Sequence, residues 1–426
     1  MNGDEYVLAS RPLSGQKAPG LTDRLARELV LRALGGISEG QLVLLEGARC
    51  FGFGREQRDG LSATVRVHSP AFYRNIAFGG SIGAGEAYMD GFWSCDDLPT
   101  LMRIMVRNQA VQDRLEGGLA RLAGLARRLR HRGNDNSRRG SRRNIAAHYD
   151  LGNAFYRLFL DPSMAYSCGI FEQPETTLHE ASIAKFERIC SKLQLAPGMR
   201  LLEIGTGWGG FALHAARRYG CHVTTTTISG QQHAYVAAQI REAGLGDRIT
   251  LLQSDYRDLS GSFDRLVSIE MIEAVGHRHL PAFFAVCARH LEADGLALIQ
   301  AITVPDRIYP RYLKTPDFIN RHIFPGGCCP SPGALAAAAG TADLALIHLE
   351  DLSPHYVRTL QEWRRAFHGN LAGVRALGYD ERFLRMWDYY LAYCEGGFAE
   401  RFTGLVQQLY ARPGSRPVPA VSTRGL

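Results

Sequence analysis

The twelve residues Met199-Arg200-Leu201-Leu202-Glu203-Ile204-Gly205-Thr206-Gly207-Trp208-Gly209-Gly210 decide the fold. A short apolar strand pattern runs directly into a glycine-rich turn. The turn opens a helix pattern, GFALHAARRYG (210–220). Glycine lets the backbone turn sharply and approach a ligand closely, and a helix N-terminus favours negative charge. Working outward, strand and helix patterns alternate: HVTTTTIS (222–229), GQQHAYVAAQIREAG (230–244), RITLLQS (248–254), FDRLVSIE (263–270), LPAFFAVCARHL (280–291) and LALIQAIT (296–303). Alternation at this spacing predicts an α/β fold, a doubly wound and mostly parallel Rossmann-like sheet. Ligands of such sheets sit beyond the carboxyl ends of the strands, so the functional residues are expected there.

Taken alone, the glycine string also fits a dinucleotide site, which wants an acid at the end of the second strand. Here that stretch reads Thr224-Thr225-Thr226-Thr227-Ile228-Ser229, without an acid. Instead Glu203 precedes the loop, and Asp255 follows the third strand, where it could accept from an adenine amino group. This arrangement resembles class I S-adenosylmethionine methyltransferases.

The rest of the chain sets the frame. At 426 residues, two domains are the prior, and 46% hydrophobic residues support packed cores. Residues 1–114 read as a leader followed by a small N-terminal α+β domain. In it, QLVLLEGA, CFGFG and LSATVRVH predict small antiparallel strands. Residues 115–143 read as a basic linker, and 144–426 as the catalytic domain. The formal charge of +7 is concentrated in the linker, where nine arginines between Arg121 and Arg143 face one acid, Asp135. Nucleic-acid binding would want an accompanying aromatic or motif module, which is missing. Anionic headgroups need only charge, so Arg138, Arg139, Arg142 and Arg143 are candidate lipid-headgroup contacts.

Nine cysteines without a CxxC pair read as reduced thiols of a cytosolic protein, with the adjacent Cys328 and Cys329 as buried apolar side chains. The first residues show no apolar signal core. No uncharged run approaches the roughly 20 residues of a membrane span. The expected location is therefore cytoplasmic, with peripheral contact to the membrane. His277 and His279 lack a third ligand nearby, so no metal is expected.

Several further segments carry a narrower likeness: NIAAHYDLGNAFYRLFLDPSMAYSCGIFE (144–172), LLEIGTGWGG, TTTISGQQ, SDYRDL, EMIEAVG (270–276), NRHIFPGGCCPS (320–331), WDYYLAYCEGGF (387–398) and, upstream, GEAYMDGFW (85–93). In this order they resemble cyclopropane-fatty-acid synthases over nearly the whole chain. The resemblance implies that the methyl of S-adenosylmethionine is transferred to the cis double bond of an unsaturated acyl chain in a membrane phospholipid. The neighbouring carbon turns cationic, the methyl loses a proton, and a cyclopropane ring closes. Loss of the proton elsewhere would give a methyl- or methylene-branched chain, which is the alternative.

The resemblance also implies a bound bicarbonate as proton acceptor. It assigns the surroundings of that ion, the catalytic set, to Cys168, Glu273, Tyr356, Gln300 and the main chain of Ile302. It assigns the cofactor to Tyr166, Ser167, Glu203, Gly205, Gly207, Trp208, Gly209, Thr227, Gln232 and Asp255. Gln300 stands where the bacterial pattern has histidine. An amide donates a hydrogen bond but cannot titrate, which bears on both the bicarbonate and the product. Relatives of this kind can also be homodimers. Without its YSC context Cys168 would be an ordinary buried thiol. Trp387, Tyr389, Tyr390 and Tyr393 follow a helical period that suits a core, or one face of an acyl-chain channel.

Overall fold

A computed structural model describes residues 20–55, 58, 60–117 and 151–416. The packing divides them into two units. The larger comprises the described residues from 151 to 313, 324–359 and 403–416. The smaller comprises the described residues up to 117, together with 314–323 and 360–402. The boundary therefore differs from a simple division near residue 144, because two C-terminal segments belong with the N-terminal unit.

The larger unit holds a seven-stranded sheet in the order β10-β11-β9-β8-β5-β6-β7. Its strands are β5 (Arg200–Ile204), β6 (His222–Thr226), β7 (Ile249–Leu252), β8 (Phe263–Ile269), β9 (Leu291–Thr303), β10 (Ala345–Asp351) and β11 (Gly404–Ala411). Strands β9, β8, β5, β6 and β7 are parallel, as the alternating pattern predicts. Strands β10 and β11 close the edge in antiparallel fashion. Leu201, Leu202, Ile204, Leu266, Val267, Leu298 and Ile299 are almost fully buried. Such near-continuous apolar strands suit a parallel sheet covered on both faces. Helices Gly210–Tyr219, Gly230–Glu242 and Leu280–His290 connect the parallel strands.

Helix Leu178–Lys192 starts on a capping box in which Thr177 accepts from the Glu180 amide and Glu180 reaches back to Thr177. Asp161 ties the preceding loop to this helix. It accepts from the amides of Ser163 and Ala165 at 2.9 and 3.3 Å and from Ser182 Oγ at 3.2 Å. That anchor sets the course of the Tyr166-Ser167-Cys168 segment.

The smaller unit has a sheet ordered β2-β1-β3-β4, from β1 (Gly40–Glu46), β2 (Arg49–Arg55), β3 (Ser62–Val67) and β4 (Trp93–Cys95). The expected antiparallel pairing holds for β1 with β2 and for β3 with β4, but β1 and β3 run parallel. Strands β2 and β3 therefore flank β1 and run in opposite directions. Helix Glu381–Ala399 packs into this unit, and Trp387, Tyr389 and Tyr390 are 1%, 4% and 6% exposed. A Cβ on Gly85 would lie 2.5 Å from Phe318, and one on Gly396 would lie 2.5 Å from Met102. Glycine there permits helices to touch at backbone distance. Tyr389 meets Tyr88, Trp93 and Phe318 at ring distances of 5.6, 6.4 and 4.6 Å, so the aromatic stripe builds core.

Candidate active site

The ends of β5, β6, β7, β8 and β9 converge with the 161–169 loop and the helix beginning at Ser353. At the end of β5, Gly205, Gly207 and Gly209 have φ of +98°, +53° and +86°. A side chain there would be strained, and a Cβ on Gly209 would come within 2.9 Å of Val236. The loop is thus built as a bare backbone cradle. Beside it, Thr206 Oγ1 and Ser163 Oγ are buried without a hydrogen-bond partner among the described residues. Orphaned donors of this kind fit a polar ligand at the loop.

Glu203 lies in β5, 2% exposed, and accepts from Thr225 Oγ1 at 2.5 Å. Burial pushes its carboxyl up to about 7. Trp208 donates from its indole nitrogen to Asn153 Oδ1 at 2.8 Å and meets Tyr156 at a tilt and Tyr166 edge-on, 4.6 and 6.4 Å away. Tyr166 and Trp208, far apart in sequence, are therefore joined. Thr227 Oγ1 donates to Gln232 Oε1 at 2.8 Å, which joins the end of β6 to the following helix. Asp255 is clamped by Arg257 through Nε at 2.8 Å and a terminal nitrogen at 2.7 Å. That carboxylate at the end of β7 is therefore shared with a cation.

The second cluster gathers Cys168, Gln300, Tyr356 and Glu273, as expected, but around a residue the sequence reading passed over. Glu270 directly follows β8 and lies half-buried among them. Its Oε1 accepts from the Cys168 amide at 3.0 Å and from Gln300 Nε2 at 2.7 Å. Its Oε2 accepts from the Tyr356 hydroxyl at 2.6 Å. Its φ is +49°, a left-handed conformation that a non-glycine residue rarely adopts. Burial raises its pKa; the hydrogen bond from Tyr356, the Cys168 amide, the charge of Lys185 and the bond from Gln300 pull it back only in part.

Other groups frame this carboxylate. Lys185, wholly buried, donates to Ser167 Oγ at 2.6 Å. Burial lowers its pKa against the opposing charge of Glu270. The Cys168 thiol is pushed well up, first by burial and then by Glu270, so it stays a neutral thiol. Its sulfur lies 3.7 Å from Thr359 Oγ1. Glu273 accepts the Ile302 amide at 2.5 Å, so that amide serves a carboxylate and does not face a free ion. Glu273 Oε2 is buried with no partner among the described residues. Burial, then the charge of Glu270, pushes Glu273 up to about 8.

Gln300 has its orientation fixed from behind. Gln407 Nε2 donates to Gln300 Oε1 at 2.9 Å, and Lys192 Nζ donates to Gln407 Oε1 at 2.7 Å. Gln300 and Gln407 are direct cross-strand partners in β9 and β11. An ammonium can only donate, so each amide in turn presents its NH2 forward, and the last one points at Glu270.

Of the remaining candidates, Cys328 and Cys329 are half-buried, less than expected for core thiols. His277 Nδ1 pairs with the Tyr309 hydroxyl at 2.8 Å. Arg138, Arg139, Arg142 and Arg143, with His148 and Tyr149, lie outside the described residues. No helix among the described residues is long and apolar enough to cross a membrane.

The sheet order, the glycine cradle at β5 and the cluster at the ends of β8 and β9 define an S-adenosylmethionine-dependent methyltransferase fold. A family model described as mycolic acid cyclopropane synthetase matches residues 136–408, and the chain belongs to that family. It is 37% identical to the tuberculostearic acid methyltransferase UfaA1 of Mycobacterium tuberculosis, over 84% of this chain and 85% of that protein. It is 36% identical to the cyclopropane-fatty-acyl-phospholipid synthase of Escherichia coli, over 82% of this chain and 88% of that one. Among solved structures it resembles the mycolic acid cyclopropane synthase CmaA1 complexed with SAH and CTAB. The TM-score is 0.60 at 34% identity, over 63% of this chain and 98% of that one.

Proposed function

We propose that this chain takes a one-carbon unit from S-adenosylmethionine and adds it to the cis double bond of an unsaturated acyl chain in a membrane phospholipid, closing a cyclopropane ring. The observation that carries the reading is the hydrogen-bonded cluster of Cys168, Glu270, Glu273, Gln300 and Tyr356 at the strand ends, in a chain of this family. When bound, S-adenosylmethionine supplies an electrophilic methyl group.

The protein's own residues do the rest. The Gly205–Gly209 cradle and Thr206 would hold the polar end of the cofactor, with Tyr166, Ser167 and Trp208 beside it. Thr227, Gln232 and Asp255 would hold the rest, Asp255 accepting from the adenine amino group. An alkene that has accepted a methyl carries positive charge, which water would quench, so a dry site is required. Cys168, Gln300 and Tyr356 are buried to that degree, and the ring of Tyr356 offers a π face to a cation. Bicarbonate does not fit the cluster as built. The Cys168 amide, Gln300 and Tyr356 already donate to Glu270, and a second anion would lie against a like charge.

The substrate is reached from an anionic membrane surface, with Arg138, Arg139, Arg142 and Arg143 on the headgroups. The enzyme works as a peripheral protein on the cytoplasmic side, alone or as a homodimer. Replacing these four arginines by Gln is expected to lower binding to phosphatidylglycerol vesicles by about tenfold or more; unchanged binding in a sedimentation assay removes the membrane role.

The activity itself is tested by incubating the protein with methyl-labelled S-adenosylmethionine and dioleoyl phosphatidylglycerol vesicles. Label should enter the acyl chain, and the product should resist hydrogenation and show ring protons by NMR. Absence of labelled lipid overturns the proposal. A labelled chain without a ring establishes the methyl- or methylene-branched outcome instead.

A further inference from the structure

Glu270 is the residue of the cluster that local backbone preference disfavours. A side chain at φ +49° is strained, and such strain persists only where the surroundings enforce it. Here they do. Its own amide donates to the Gln300 carbonyl at 2.8 Å, and its two oxygens receive donors from three separate elements. These donors are the groups the family resemblance reserves for a freely bound carbonate-type anion. A protein carboxylate presents the same planar pair of oxygens on a two-carbon stem. All three donors are neutral, and the nearby cation Lys185 donates to Ser167 instead, so they orient the carboxylate without fixing it as a permanent anion.

We infer that the Glu270 carboxylate is itself the proton acceptor of the reaction, built into the chain in place of an exogenous anion. The inference rests on the proposed methyl transfer to an alkene. In that transfer the π pair forms the new C–C bond, the C–S bond breaks with its electron pair left on sulfur, and the neighbouring carbon becomes cationic. Glu270 then takes one proton from the new methyl group. The freed C–H pair bonds to the cationic carbon and closes the ring. Glu270, now a neutral carboxylic acid, releases the proton to water before the next turnover. Gln300 and Tyr356 are positioning residues, and so is Gln407 one step further back. Glu273, held on the Ile302 amide, is not in the line of transfer.

The inference has a readout that needs no turnover. A line-broadening titration with 13C-bicarbonate should show no binding to the wild-type protein. Glu270→Gly removes the carboxylate and its stem at a backbone position that glycine prefers. That variant should melt no lower than wild type, bind S-adenosylhomocysteine within about threefold by calorimetry, and acquire a 13C-bicarbonate site. In carbonate-free buffer, wild-type turnover should change less than twofold on adding bicarbonate. Glu270→Gly should lose at least about 100-fold and regain about tenfold with bicarbonate or formate. Glu270→Gln keeps the shape and should also lose about 100-fold, and what it makes should shift toward methyl-branched alkene or alcohol.

A wild-type protein that binds 13C-bicarbonate in this cluster, or that needs it for turnover, overturns the inference. So does a Glu270→Gln variant with full ring-forming activity. A wild type that methylates no alkene under any condition removes the proposed function, and with it the role of Glu270. Bicarbonate binding gained by Glu270→Gly would then show only that its carboxylate occupies an anion site.

Discussion

Asp388 in the smaller unit, buried, and Glu270 in the larger, half-buried, are carboxylates with three hydrogen-bond donors each, yet they stand on opposite sides of the ordinary acid range. Asp388 accepts from Tyr88 at 2.8 Å, Arg364 at 2.9 Å and His368 at 2.7 Å. Burial pushes its pKa up, but the Arg364 charge and the bonds from His368 and Tyr88 outweigh burial and hold it well below the usual value. Glu270 has an amide, a carboxamide and a phenol as donors, and there burial wins. The number of donors does not decide the outcome; their charge does. One carboxylate is a permanent anion that ties helix Ser353–Gly369 to helix Glu381–Ala399. The other can exchange a proton.

The largest effect is expected from breaking the permanent anion. Asp388→Ala leaves the half-buried Arg364 without its counter-charge and the buried His368 without its hydrogen-bond partner, a loss of about 3–5 kcal/mol for an ion pair deprived of one member. Thermal melting checks it. Because the folded pKa of Asp388 is depressed, its contribution is fully present above the unfolded value near 4 and is lost as pH falls further. The acid branch of the stability curve should therefore flatten in Asp388→Asn. A melting point within a degree of wild type would mean that the cluster carries no net stability.

Glu273 supplies the opposite sign. Its folded pKa is raised to about 8 from an unfolded value of 4.5. Between those limits the folded state binds more protons than the unfolded one, so stability falls as pH rises through the window. Glu273→Gln mimics the protonated acid and should remove that fall, a gain on the order of a few kcal/mol near pH 8. Denaturant midpoints at pH 5 and pH 8 measure it. Equal midpoint differences for wild type and variant would place the titration elsewhere.

Tyr356→Phe comes next. The lost hydroxyl donates to a group that works as a carboxylate, a bond worth about 1.5–3 kcal/mol, or roughly a 10–100-fold drop in turnover. The hydroxyl also holds the Glu270 pKa down, so the acid limb of the pH–rate profile should move to higher pH. The other titratable groups facing Glu270 are Lys185, Cys168 and Glu273, and they stay in place. A lower rate with an unmoved profile would leave Tyr356 a packing residue.

The parallel sheet and the glycine cradle were legible because both are local signals: a strand pattern, a turn that only glycine fits, and a helix pattern. Glu270 was visible as the last letter of FDRLVSIE, and the rule that places ligands beyond strand ends already pointed at it. It was passed over because a lone acid after a strand says nothing until its donors are known, and these come from residues 102, 86 and 30 positions away. The departure at Gln300 was the available clue, since a changed donor suggests a changed acceptor. The helical period of 381–399 was legible too, but a period shows that one face is buried and not against which unit.

The smallest effect should come from Gln407→Leu, which leaves every group that touches Glu270 intact. It removes only the amide that fixes Gln300 from behind. Gln300 could then turn its carbonyl toward Glu270 in part of the population, and each such molecule would set one lone pair against another. Lys192 loses the Gln407 acceptor but keeps Glu350, so its buried charge remains paired. The cost in turnover should be about one neutral hydrogen bond, roughly 3–10-fold, with the pH–rate limb moved slightly to higher pH. Adding Gln407→Leu to Tyr356→Phe should then give more than the sum of the two logarithmic losses, because both act on the orientation of one carboxylate. Strict additivity would mean that the amide pair serves the β9–β11 seam alone. Glu270 would then owe its placement to Cys168, Tyr356 and its own strained backbone.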